Sequence, residues 1–329
     1  MIDWYDFSPV DTMFFRGAES LEKGSDHRAS TMFPPSPETF FGALRTLYLI
    51  EHEIPFHHYN RSDFRDEKVI EAIGRSDDEP DALPWSLIGP LIKKGEEVYV
   101  PAPYSWFTKE TELKEYFLNN KNKDTGIEII RASEIDNSLL LMDSDLLWVK
   151  GKSEEMKCLG GMWVNLSSVM GTSHVKVLDE ESVFHIENRT GIALEGAKKH
   201  VRKGHLFSMN HIRLQEGISL VFGITGILYL PDTGILMLGG ENRFGKYRKV
   251  NIDFPDDPGK EGLYLSLGSI DGTCEGISEE VLATGKINYM GGWNMRIGFH
   301  KPLKGYYPAG TVLSSKINEN CLYLEEKNG

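Results

Sequence analysis

The chain has 329 residues, of which 40% are hydrophobic and 26% charged, and it carries a net charge of -13 at pH 7. That size allows sizeable cores and two domains, and the composition excludes a disordered chain. No stretch nears the roughly 18 uninterrupted apolar residues of a membrane span. The opening MIDWYDFSPVD lacks the basic-then-apolar build of a signal peptide, so the expectation is a cytoplasmic protein with no membrane contact. Cys158, Cys274 and Cys321 are far apart and offer neither a disulfide framework nor a CxxC metal pair. In so acidic a chain, phosphates are met only through local clusters of basic residues.

Residues 3–15 read as a strand, with Pro9 placing its first part on an edge or at a bulge. The polar segment 16–32 that follows is long, since roughly 2 to 6 residues usually join a strand to a helix. Such a loop is either a surface excursion or a binding loop using Arg16, Gly17, His27 and Arg28. The stretch FPPSPETFFGALRT, 33–46, spells a helix start. Pro34 and Pro35 keep the chain extended, Ser36 serves as N-cap accepting an orphan N–H, Pro37 suits the first helical position, and Glu38 complements the positive helix end. Phe40, Phe41, Ala43, Leu44, Leu47 and Tyr48 form its apolar face, and Gly42 is expected to leave room for a close neighbour. His57 and His58 are adjacent and make a poor metal pair. A short helix is expected over 66–74 and a strand pair over 87–92 and 98–100. Residues 104–157 are irregular, either variable packing or an arm presenting Trp106, Phe107 and Trp148.

In the second half, EGAKKHVRKGH (195–205) gathers Lys198, Lys199, Arg202 and Lys203 with no acid among them. The strand-like LFSMNHIRL and ISLVFGITGILYL follow, which would mount a basic loop on a sheet edge. A second basic cluster, GGENRFGKYRK, holds Gly239, Gly240, Arg243, Phe244, Gly245, Lys246, Tyr247, Arg248 and Lys249. Glycines let a backbone approach phosphates, cations neutralise them, and rings stack on bases. A strand over 263–270, a short helix over 278–284 and further strands close the chain. The pattern supports an α+β protein with more strand than helix.

Phe7, Pro9, Asp11, Phe14, Phe15, Arg16 and Gly17, then the whole of 33–46, resemble the RAMP-superfamily subunit three of type III-B CRISPR-Cas (Cmr) effector complexes. Shorter matches run on through Arg189, Thr190 and Gly191, residues 204–208 and 238–241, and 307–310. The resemblance implies two ferredoxin-like, RRM-related domains, taken as 1–155 with an insertion and 156–329 with the glycine-rich loop. It further implies a non-catalytic subunit that binds the 5-prime handle of the crRNA and docks the large polymerase-like subunit and an adjacent RAMP backbone subunit. The three basic segments would supply phosphate and sugar contacts, with Phe244 and Tyr247 available to bases.

No P-loop, GxGxxG, HExxH or nuclease metal motif is present, and no cofactor is implied. The enzyme alternative is a metal-independent ribonuclease using His27, His200 or His205 with Tyr247. The third class is a purely protein-binding scaffold, which the overall charge favours and the basic clusters oppose.

Overall fold

The computed structural model describes residues 2–17, 28–118, 126–134, 147–149, 155–169, 173–195, 200–294 and 299–325. The first strand, β1 (Asp3–Pro9), ends earlier than the sequence pattern implies. It is also central: it pairs on both sides, so Pro9 closes an interior strand and marks no edge. Helix α1 (Pro37–Glu51) begins at the expected proline. Ser36 is extended as an N-cap should be, yet its hydroxyl meets the Thr39 hydroxyl at 3.2 Å and accepts no backbone N–H. A shorter helix, α2 (Glu67–Ile73), is capped by Asp66, which accepts from the Val69 N–H.

Strands β2 (Trp85–Lys94) and β3 (Glu97–Pro101) form the expected hairpin. Then come β4 (Trp163–Asn165), β5 (Val177–Leu178), the long pair β6 (Phe184–Glu195) and β7 (His200–Leu214), and β8 (Ile218–Gly226), β9 (Thr233–Met237) and β10 (Phe244–Val250). The main sheet has eight strands in the order β5-β4-β3-β2-β8-β1-β10-β9, all antiparallel to their neighbours. It draws strands from both sides of residue 155.

Alternation along β1 explains the layering. Tyr5 and Phe7 join a core with Phe40, Leu44 and Phe222, beneath α1. Trp4 joins a second core on the opposite face with Leu91, Val100 and Val221, covered by Leu263, Leu265 and Leu322 of a four-stranded C-terminal sheet. Each such fully buried aromatic or aliphatic side chain contributes about 1.5–3 kcal/mol. Trp106, which the arm alternative would have exposed, is 1% exposed in the second core, with the Arg131 guanidinium 5.2 Å from its ring centroid. The side chain of Trp148 lies outside the described residues. Among the described residues no helix is long and apolar enough to cross a membrane.

Gly42 departs from expectation as well. It is exposed, and a Cβ there would have nothing within 4 Å. With no neighbour to accommodate, glycine only costs helix propensity, so Gly42→Ala should raise stability by about 0.5–1 kcal/mol in urea unfolding. A loss of stability would show that something packs against this face.

Candidate nucleic-acid interface

After Pro9 the chain leaves the main sheet and crosses the β6–β7 hairpin. Met13 and Ile212 exchange both backbone hydrogen bonds, each 2.8 Å. The base of the long loop is then zipped shut: Met32 N–H donates to the Phe15 carbonyl (2.9 Å), Gly17 N–H to the Ser30 carbonyl (3.3 Å), and Arg16 bridges Thr31. Just beyond, the two-residue strand Arg28–Ala29 runs parallel to Ser208 and Met209 of β7. His27 lies outside the described residues, as does the side chain of Arg28. The second expected segment is partly strand, because Arg202 and Lys203 sit within β7 at the point where its register with β6 shifts, their side chains outside the described residues. Lys198 and Lys199 lie outside the described residues, between the two strands. The third segment arrives from the β9–β10 turn, where Gly240 N–H donates to the Phe14 carbonyl at 2.8 Å. The first and third segments therefore meet across residues 11–17, beside β7 at Ser208–Ile212, further along that strand than Arg202 and Lys203.

The centre of this junction is Asp11. Its Oδ2 accepts from Arg189 Nη2 and Arg243 Nη1, each at 3.0 Å, and its Oδ1 accepts from Arg213 Nη2 at 2.9 Å. Glu187 closes the ring. Its Oε1 takes Arg189 Nε at 2.8 Å and its Oε2 takes Arg213 Nε at 2.7 Å. Burial alone would raise the Asp11 carboxyl, but hydrogen bonds from Arg189 and Arg213 outweigh it and hold the group at about 2, against the usual 3.8. Because the folded value is the lower one, this stabilisation is full above pH 4 and fades as pH falls from about 4 toward about 2. Asp11→Asn should therefore narrow the stability gap to the parent across that window, as read by urea midpoints at several pH values. A constant gap would remove Asp11 from the acid response.

His211 fills the space beneath. It is 1% exposed, stacks on Phe14 with centroids 5.4 Å apart, and shares a 3.1 Å hydrogen bond with Thr12 through Nδ1. Burial, then the cations of Arg243 and Arg189, push its proton affinity down, so the ring stays neutral. Asp11, Glu187, Arg213 and His211 were absent from the sequence-based list of site residues. Glu187, Arg189, His211 and Arg213 become neighbours only through the pairing of β6 with β7, Glu187 standing opposite His211. The Arg189 of the ENRTGI match and the Asp11 of the N-terminal block were the available signal.

Strand β10 divides the remaining candidates by alternation. Phe244, Lys246 and Arg248 face outward, and Gly245 and Tyr247 face inward. Tyr247 is corrected from a base-stacking residue to a core one: it is 2% exposed, edge-on to Tyr5, and burial then Glu51 push its hydroxyl to about 12. That also removes it as an acid or base for cleavage. Gly245 is corrected too, since a Cβ there would lie 2.5 Å from the Phe7 ring and the Ser8 carbonyl, so it serves packing. Arg248 bonds Asp6 at 3.2 Å and Lys249 bonds Asp3 at 2.8 Å. Phe244 is 46% exposed beside Met237, and Lys246, opposite Ile235, forms no ion pair among the described residues.

Comparison with known proteins gives this arrangement a context. The family model described as CRISPR-associated protein (Cas_Cmr3) matches residues 5–262. No curated protein matches the chain. Two cryo-EM structures share its fold. One, of the type III-B Cmr-beta bound to cognate target RNA, contains a chain 16% identical over 95% of this chain and 86% of that one, with a TM-score of 0.52. The other, of Cmr-beta bound to cognate target RNA and AMPPnP, is 14% identical over 94% and 85%, with a TM-score of 0.51. The match of the family model over most of the sequence, from the middle of β1 to the start of the C-terminal sheet, shows that the chain belongs to the Cas_Cmr3 family of CRISPR-associated proteins.

Proposed function

We propose that this chain is a non-catalytic RNA-binding subunit of a type III-B CRISPR effector complex. It holds the 5-prime handle of the crRNA and docks the large polymerase-like subunit and an adjacent RAMP backbone subunit. The observation that carries this reading is the meeting, at the β6–β7 hairpin, of the first loop and the glycine-rich turn, two of the segments singled out for their basic residues. An acidic protein gains a local phosphate-binding surface by this kind of concentration. Membership of the Cas_Cmr3 family and the fold shared with subunits of RNA-bound Cmr-beta support it. Phe244 is the exposed ring beside the cations, placed to meet an unpaired base. We also retain the division into ferredoxin-like units over 1–155 and 156–329. The succession β1–α1–β2–β3 supports the first, and the shared eight-stranded sheet would join the two.

The test is titration of a labelled RNA carrying the handle, against a scrambled RNA, with cleavage products monitored. Handle-dependent binding that leaves the RNA intact is expected. Lys246→Ala should weaken binding and flatten the log-log salt dependence by on the order of 0.7, the value for one phosphate contact on a single strand. Metal-independent cleavage would make the protein a processing enzyme, and absence of RNA binding would leave a scaffold.

A further inference from the structure

The Asp11 cluster is built in a way that bracing a loop does not require. Three guanidiniums from three chain segments face two carboxylates, a local net charge of +1 within a protein of net charge -13. The bonds to Asp11 and Glu187 engage Nε and Nη2 of Arg189 and Arg213 and Nη1 of Arg243, so Nη1 of the first two and Nε and Nη2 of Arg243 stay out of the ring. Two polar atoms at the same place are buried and without a hydrogen-bond partner: Nε of Arg243 and Nε2 of His211. The second belongs to a side chain that is 99% buried by its 1% exposure. Solvent still reaches the cluster, since the Arg189 and Arg213 side chains are 31% and 38% exposed.

An unpaired guanidinium N–H beside surplus positive charge is what an oxyanion needs, because charge-assisted hydrogen bonds to guanidinium forks are among the strongest a phosphate can make. The two carboxylates have a separate role: they keep three like charges together before any ligand arrives, which removes most of the reorganisation that binding would otherwise require. We propose that Arg189, Arg213 and Arg243 form a preassembled seat for one backbone phosphate of the bound RNA, with Asp11 and Glu187 as its fixed counterions. This deepens the RNA-binding reading and rests on it. It also moves the principal contact from the glycine-rich turn to the face of the β6–β7 hairpin.

Two substitutions of opposite sign separate a phosphate seat from a structural brace. Arg213→Gln removes one donor fork and one charge, whereas Glu187→Gln leaves all three arginines and raises the local charge to +2, with Asp11 still holding the cluster. In titrations of the full chain with handle RNA over a range of salt, Arg213→Gln should bind about tenfold more weakly. Its log-log slope should flatten by about 0.7. Glu187→Gln should bind as tightly as the parent or more so at low salt. Urea midpoints of the free variants check that each is folded. If both variants weaken binding with the slope unchanged, the cluster is only a brace and the proposal falls. If Arg213→Gln binds RNA as the parent does while inorganic phosphate raises the melting temperature of the parent alone, the site takes free anions and the assignment to RNA falls. If the parent itself binds no RNA, the function reading fails first and the seat with it.

Discussion

Replacing Arg248 with alanine should lower stability by about 2 kcal/mol, before any effect on RNA is considered. Arg248 belongs to one of the two basic runs in the second half of the sequence and, by composition, looks like a phosphate contact. Its position gives it another task. Asp6 is 4% exposed in the middle of β1, its Oδ1 has no hydrogen-bond partner, and its Oδ2 is met by Arg248 at 3.2 Å and by Lys93 at 3.9 Å. Removing Arg248 leaves a buried carboxylate with one distant cation. The loss is held below that of a fully buried pair because the arginine is itself 66% exposed. Urea unfolding of Arg248→Ala beside Lys246→Ala tests this, since Lys246 sits two residues earlier on the same face without an ion pair among the described residues. A stable Arg248→Ala with a flattened salt slope would return the arginine to the RNA and leave Asp6 content with Lys93. A destabilised one means that weak RNA binding by this variant reports on folding.

The start of α1 was legible because Pro34, Pro35 and Pro37 restrict their own backbone, which needs no partner, even though the Ser36 hydroxyl turns to Thr39 and caps no N–H. The same holds for the β2–β3 hairpin and for the short helix expected over 66–74. Tyr247 and Gly245 were misplaced for the opposite reason. Whether a ring in an aromatic and basic run stacks on a base or packs in a core depends on which face of a sheet is covered, and α1 covers that face from some 200 residues away in the chain. Asp11 and Arg213 were illegible as a pair for a similar cause: their contact depends on Met13 pairing with Ile212 across the edge of β7. The meeting of the first loop with the glycine-rich turn was not legible either, because the residues that Asp11 ties together are set by the register of β6 and β7.

The glycine-rich turn is the place where a packing role and a phosphate role make opposed predictions. Gly239 has φ of +86°, and a Cβ there would lie 2.5 Å from the Phe14 carbonyl oxygen, a backbone atom that has little freedom to retreat. That carbonyl accepts the Gly240 N–H, so pushing it away also loosens the tie between the turn and residues 11–17. The turn is already strained, with Glu241 and Asn242 both at positive φ. Gly239→Ala should therefore cost about 3 kcal/mol, combining a left-handed conformation worth about 1–2 with a steric shift of about 1–3. Gly240→Ala is the control. It has no such φ, and its Cβ would come within 3.0 Å of the Phe14 ring, a side chain that can move a few tenths of an ångström. Urea midpoints should fall steeply for the first variant and slightly for the second. Arg243 enters β10 from this turn and reaches Asp11, so Gly239→Ala should also weaken RNA binding through its loss of position, with the salt slope preserved because no cation has been removed. Unchanged stability in both variants, with RNA affinity lost equally, would instead mean that the turn's backbone lies against the phosphates.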